Sequence, residues 1–264
     1  MKKSLTWLGH NCWLFEIGQT KILIDPYLQT PLAPCKPTDI STDYVLVSHG
    51  HSDHCADALS ILKQTGATVV AMAEVASWFG QRGIAKTEAM NIGGSIPIPF
   101  REKDNSDNEL AQLMMIPAFH SSTMPDGTSG GNSCGFLLSF PQNGKTLATW
   151  SSNADIKPMK DILADANAFS IYFACDSGYF LEMNQLGSWG IDVAVLPIGD
   201  RYTIGPSLSL DAIQSLKPKK VIPTHYNTWK PISQNVQKWA QAVQKYTESE
   251  PVIPIPGKMI LLGE

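Results

Sequence analysis

Three of the chain's six histidines fall together in Ser48-His49-Gly50-His51-Ser52-Asp53-His54, immediately after the apolar run Tyr44 to Val47. Neutral imidazoles and a carboxylate are ligands for Zn, Mn or Fe, and a strand that ends in a tight Gly-containing loop can aim several short side chains at one point. The competing interpretation is a solvated, histidine-rich turn. Three further residues weigh against it: His120 ends Leu113-Met114-Met115-Ile116-Pro117-Ala118-Phe119, Asp176 ends Ile171-Tyr172-Phe173-Ala174-Cys175, and His225 ends Val221-Ile222-Pro223-Thr224. Each follows a hydrophobic stretch with the character of a strand. If those strands lie side by side, all these groups arrive at one rim of a sheet, where α/β proteins form their sites.

The elements that would position them are legible in outline. Ser4 to Leu8, Cys12 to Ile17 and Lys21 to Ile24 are short apolar runs divided by Gly9-His10-Asn11 and Gly18-Gln19, which predicts an antiparallel meander. From Tyr44 onward the pattern becomes strand, loop and helix. Strands at Tyr44 to Val47 and Thr68 to Met72 alternate with helices at Ala56 to Lys63 and Val75 to Arg82. Further strands are expected at Gln112 to Ala118, Gly135 to Phe140, Thr146 to Thr149, Ser170 to Ala174, Val193 to Pro197 and Lys220 to Ile222. Helices fit Pro158 to Ala166, Leu208 to Leu216 and Ile232 to Tyr246, the last with Val236, Trp239, Ala240 and Val243 on one stripe. Short internal repeats are absent, and no duplication of the whole is visible by eye.

A chain of 264 residues can bury a large core. One α/β domain over 1–264 is expected, because the most linker-like segment, Arg101 to Glu109, is short and lies between apolar runs. The formal charge of -4, with Lys and Arg scattered, argues against a nucleic-acid partner. No apolar run approaches the roughly 18 residues of a membrane helix. His10, Asn11 and Glu16 interrupt the stretch after Lys2 and Lys3, so neither a membrane partner nor a signal peptide is expected. Cys12, Cys35, Cys55, Cys134 and Cys175 are odd in number and lack CxxC spacing, which fits reduced thiols and a cytoplasmic location.

His-x-His-x-Asp-His followed by a downstream His, Asp and His resembles the ligand series of the metallo-β-lactamase superfamily. Leu8-Gly9-His10, Ile22-Leu23-Ile24-Asp25-Pro26, Met90-Asn91-Ile92-Gly93-Gly94, His120-Ser121-Ser122, Leu196-Pro197-Ile198-Gly199-Asp200 and Pro223-Thr224-His225-Tyr226-Asn227-Thr228 are similar to its branch of metal-dependent hydrolases and L-ascorbate-6-phosphate lactonases. The resemblance implies an α/β fold, a four-layer αββα sandwich of two mixed β-sheets flanked by helices. It also implies two divalent metal ions, Zn first, with Mn or Fe as alternatives. His49, His51 and His120 would hold one ion and Asp53, His54 and His225 the other, with Asp176 bridging. Two cations roughly 3.5–4 Å apart can share a hydroxide that attacks a polarised carbonyl or phosphoryl group. The implied reaction is hydrolysis of an ester, lactone or phosphoester of a small metabolite. Asp25 resembles the family's acid that accepts a hydrogen bond from a ligating imidazole and fixes its tautomer.

Asp53 and His10 are the candidate catalytic residues. His10 belongs by resemblance at the wall of the site, touching substrate or donating a proton; a hydrogen-bonded turn histidine is the alternative. Tyr226 and Asn227 line the pocket or simply form a turn. Cys55 suits packing at a helix start, and the Gly/Ser/Thr-rich stretch Ser121 to Ser133 suits a mobile substrate loop. Two departures from the family pattern stand out. An insertion near 151–168 carries Asp155 and Asp161, which makes Asp155 the fallback for the bridge, and Cys175 replaces an expected glycine, where a thiol would tune or poison the site. The alternative functions are a catalytically impaired metal- or ligand-binding member of the same fold and a phosphodiesterase. A di-iron flavoprotein is excluded, since it needs a carboxylate where His51 stands. Members of the family are commonly multimeric, so a homo-oligomer is compatible with this reading.

Overall fold

A computed structural model of the chain describes residues 2–100, 109–142, 147 and 156–262. β1 (Lys3–Trp7), β2 (Trp13–Ile17) and β3 (Thr20–Ile24) form the antiparallel meander that their dividing turns predict. The same sheet continues through β4 (Tyr44–Val47), a one-turn helix α1 (Ser52–Cys55), α2 (Ala58–Thr65), β5 (Thr68–Met72), α3 (Ala73–Gly80) and β6 (Thr87–Met90). Here β3, β4, β5 and β6 pair in parallel. The β-branched runs of β4 and β5 are almost wholly buried, as expected of strands covered on both faces.

A second sheet is built from β7 (Ser95–Phe100), β8 (Glu109–Pro117) and β9 (Cys134–Phe140), then, after α4 (Met159–Asp165), β10 (Phe169–Phe173). It ends with α5 (Met183–Gly187), β11 (Val193–Pro197), α6 (Pro206–Leu216), β12 (Lys220–Thr224), α7 (Val236–Tyr246) and β13 (Glu250–Pro251); β14 (Met259–Leu261) returns to pair with β1. Among the described residues this makes two mixed seven-stranded sheets, ordered β14-β1-β2-β3-β4-β5-β6 and β13-β12-β11-β10-β9-β8-β7. The sheets face each other: Phe15 of β2 meets Phe140 of β9 at 5.4 Å between ring centroids, and Trp13 Nε1 donates to Thr224 Oγ1 at 3.0 Å. Helices α2 and α3 cover one outer face and α6 and α7 the other, which completes the expected αββα layering.

The two sheets repeat one pairing pattern. From β1 to β6 the neighbours are antiparallel, antiparallel, then parallel three times, and β8 to β13 follow the same sequence. The helix-bearing halves correspond as β4-α2-β5-α3-β6 and β11-α6-β12-α7-β13. His10 and His120 then follow equivalent strands, β1 and β8, and Asp25 and Asp176 follow β3 and β10. No duplication was visible in the residues; it is carried by strand pairing.

Other differences from expectation have local causes. β6 and β7 were not anticipated, because both are edge strands: β6 is mostly exposed, and β7 carries Pro97 and Pro99, which only an edge tolerates. Glu109, expected in a loop, begins β8. α7 starts at Val236 instead of Ile232, since Lys230–Ile232 forms a 3₁₀ turn and Asn235 caps the helix by accepting from Lys238 N. Asp155 lies outside the described residues, as do all but Leu147 of the strand expected at 146–149. Among the described residues no helix is long and apolar enough to cross a membrane.

Candidate metal centre

Four side chains or their neighbours sit at strand ends in the left-handed backbone region. These are His10 after β1 (φ 50°), Asp25 after β3 (φ 44°), Cys175 after β10 (φ 51°) and His225 after β12 (φ 54°). Non-glycine residues pay about 1–2 kcal/mol for that conformation, and such strain gathers at functional sites. The Ser48–His54 segment is bent differently: His51 caps α1, whose single turn carries Asp53 and His54.

The convergence expected from the sequence is present. His49 Nε2 and His51 Nδ1 stand 3.1 Å apart, and the His120 ring lies 5.0 and 5.1 Å from theirs, so one group is His49, His51 and His120. The second is Asp53, His54 and His225, together with His10. Asp176 Oδ2 lies between the groups, 3.1 Å from His225 Nε2, 3.2 Å from His54 Nε2 and 3.6 Å from His120 Nε2. Ligands about 2.0–2.1 Å from a tetrahedral cation stand about 3.4 Å from one another. These spacings therefore fit donors aimed at shared points.

The polar chemistry agrees with that fit. Asp176 Oδ1 is buried without a hydrogen-bond partner, and His54 Nε2 and His225 Nε2 have only the charge contact with Asp176 Oδ2. A buried polar atom left in that state costs about 1–3 kcal/mol, a cost that a coordinated cation removes. Imidazoles plus carboxylates suit a borderline divalent ion. Asp176 is held well below the usual carboxylate range: burial opposes ionisation, but His225 and His54 outweigh it. Burial, then His54, pushes His49 well down, whereas His54 is pushed well up against its own burial by Asp176 and Asp25. Asp53 is likewise depressed, with burial overcome by His10 and His54.

Beneath this set lies a buried acceptor. Asp25 Oδ2 accepts from His54 Nδ1 at 2.8 Å, Ser48 Oγ at 2.7 Å and Asn11 Nδ2 at 2.8 Å, and Oδ1 accepts from Ser48 N at 2.8 Å. Because Ser48 Oγ gives its proton to Asp25, it accepts from His49 Nδ1 at 2.9 Å. His49 and His54 are thereby fixed with Nδ1 turned outward and Nε2 facing inward, the orientation that ligation needs. Asp25 stands where sequence reasoning put it. Ser48 and Asn11 went unassigned, although a serine ending the apolar run of β4 beside a histidine was a usable signal.

His10 is fully buried inside the cluster. Its Nε2 lies 3.2 Å from Asp53 Oδ2 and its Nδ1 2.8 Å from Thr228 Oγ1, while its ring packs 4.0 Å from His225 and 4.8 Å from Trp229, with Tyr27 edge-on at 5.7 Å. Burial and then His225 lower it to about 4. No motif in the sequence marked Trp229 or Tyr27 for this place, and Thr228 closed the His225 motif without an assigned role.

Two expectations need correcting, those for Tyr226 and for the Ser121 to Ser133 loop, while Asn227 takes the turn role held open for it. Tyr226 is not at a pocket wall; it is buried, with its ring stacked on Trp7 at 5.3 Å, because the left-handed turn at His225 sends the next side chain into the core. Asn227 is an exposed turn residue at φ 58°, accepting from Gln234 N at 2.7 Å. The stretch from Ser121 to Ser133 is a hydrogen-bonded hairpin with its own bridge, Thr123 to Ser129. Cys175 is buried, and burial pushes its thiol well up. Cys55 packs as expected, its Sγ on Gly50 O at 3.3 Å.

The β-lactamase superfamily domain signature matches residues 20–226. A UPF0173 metal-dependent hydrolase of Pelotomaculum thermopropionicum is 37% identical over 98% of this chain and 100% of its own. One from Thermus thermophilus is 35% identical over 92% of each. Among solved structures, Igni18, a metallo hydrolase of Ignicoccus hospitalis, superposes with a TM-score of 0.78 at 29% identity, covering 100% of both chains. With a matched domain and relatives of this coverage, the chain belongs to the β-lactamase superfamily and is a metal-dependent hydrolase.

Proposed function

We propose that the chain hydrolyses an ester, lactone or phosphoester of a small metabolite in the cytoplasm, using two divalent ions, Zn in first place and Mn or Fe as alternatives. His49, His51 and His120 would hold one, Asp53, His54 and His225 the other, and Asp176 would be shared. The observation that carries this reading is the approach of the single atom Asp176 Oδ2 to imidazole nitrogens of both groups, at 3.1, 3.2 and 3.6 Å. When bound, such a pair makes water nucleophilic near neutral pH and polarises the scissile group.

The chain's own residues do the rest. Asp25 and Ser48 orient His54 and His49, so little reorganisation is needed for ligation. His10 is within hydrogen-bond reach of Asp53 and is tied at its other nitrogen to Thr228, which suits it to hold or pass a proton at Asp53 Oδ2. Half-buried Trp229 and Tyr27 flank His10 and supply an apolar wall beside it. The formal charge of -4 favours a small substrate over nucleic acid.

The test is turnover of a panel of lactones, carboxylic esters and phosphodiesters before and after chelation. Hydrolysis of at least one class should vanish on metal removal and return with Zn or Mn. Hydrolysis that survives complete metal removal overturns the proposal.

A further inference from the structure

The hairpin from Ser121 to Ser133 is tied to the His49–His51 segment. Ser122 Oγ accepts from Gly50 N at 3.1 Å, and a Cβ at residue 50 would stand 2.6 Å from Met124 Sδ and 2.9 Å from Met124 N, so only glycine lets the hairpin lie this close. At its base Ser133 Oγ donates to Ser121 O at 2.8 Å and Cys134 N to Ser48 O at 3.1 Å. Ser121 Oγ sits 3.4 Å from His51 Nε2.

The tip is held from the other side by α3. Asp126 Oδ2 accepts from Trp78 Nε1 at 2.7 Å and from Arg82 Nη2, while Oδ1 accepts from Thr128 N at 3.1 Å and Thr128 Oγ1 at 2.6 Å. The Arg82 guanidinium lies 3.5 Å over the Trp78 ring, and its Nη1 donates to Trp78 O at 3.1 Å. Indole and guanidinium thus form one preassembled receptor for a carboxylate.

His51 takes its outer contact from the hairpin. The outer nitrogens of His49 and His54 are fixed by the buried Ser48 and Asp25, but the outer nitrogen of His51, Nε2, faces Ser121 on a half-exposed surface. We propose that Asp126, gripped by Trp78 and Arg82, is a positioning residue that seats the hairpin on Gly50 and thereby fixes His51 for binding its metal. This rests on the two-metal reading above.

The test compares wild type with Asp126→Ala, Arg82→Ala and Trp78→Phe, the last removing the indole N–H while keeping an aromatic ring beneath Arg82. Amide exchange across residues 122–130 and stepwise Zn affinity by chelator competition are measured on the metal-free proteins. The expected result is faster exchange in 122–130 and about tenfold weaker binding of one metal equivalent, the other unchanged. Ser121→Ala should weaken the same equivalent without raising exchange. Unchanged exchange in Asp126→Ala, or equal weakening of both equivalents, overturns the positioning role. A wild type that takes up no metal sinks the two-metal reading and the consequence for His51 with it, while exchange still decides whether the clamp exists.

Discussion

Replacing Asp25 by Asn removes one charge beneath the metal centre with almost no change of shape. Residue 25 has φ 44°, a conformation Asn tolerates, so the backbone is not the target. Asp25 is fully buried, with Oδ1 accepting from Ser48 N and Oδ2 from Asn11, Ser48 Oγ and His54. An amide has one acceptor atom and one donor group. The milder orientation points its NH₂ at Ser48 N–H, leaving a buried donor without a partner at a cost of about 1–3 kcal/mol. The other three hydrogen bonds lose their ionic character, about 1 kcal/mol each. The sum is about 4–6 kcal/mol, a large share of the roughly 5–15 kcal/mol that holds a domain folded. Loosening His54 should also weaken metal binding about 10- to 100-fold. Urea unfolding of the metal-free protein measures the first effect, chelator competition the second. A variant within about 1 kcal/mol of wild type, binding metal equally well, would refute the role given to Asp25.

His51→Ala and Asp53→Ala should each abolish hydrolysis, and His51→Ala should leave the unfolding transition of the metal-free protein nearly unchanged, since that side chain is not fully buried; activity in a metal-loaded variant would contradict this. Gly187→Ala should destabilise by about 1–3 kcal/mol or more, because a Cβ there runs into Ser215 O where α5 meets α6; a loss below about 0.5 kcal/mol in urea would count against that packing. His10, lowered from 6.5 to about 4, stays neutral when folded, whereas the unfolded chain takes up a proton below 6.5. Its contribution is therefore present above pH 6.5 and is lost as pH falls through 4, at up to about 1.4 kcal/mol per pH unit. The stability of chelated protein should fall less steeply over that range in His10→Gln, and parallel slopes would be the contrary result.

The sheets and the convergence of His49 to His54, His120, Asp176 and His225 were legible because each potential ligand or ligand cluster comes soon after an apolar strand. That rule places a side chain at a rim without needing the pairing order. His10 could not be placed by it: a single histidine in a Gly-His-Asn turn has no spacing partner, and only the fold shows it packed on His225. Tyr226 misled because neighbours in sequence diverge when the residue before them reverses the chain. Ser48 and Asn11 are ordinary polar residues until Asp25 is seen between them. The edge strands β6 and β7 lack the two-sided burial that writes a clear pattern, and the repeat relating β1–β6 to β8–β13 resides in backbone pairing, which residue identity does not encode.

The most direct test is anomalous diffraction from crystals of the metal-loaded protein. Two peaks about 3.5–4 Å apart are expected, one among His49, His51 and His120, the other among Asp53, His54 and His225, with the Asp176 carboxylate reaching both. A single peak, or metal bound away from these side chains, would contradict the shared-carboxylate centre.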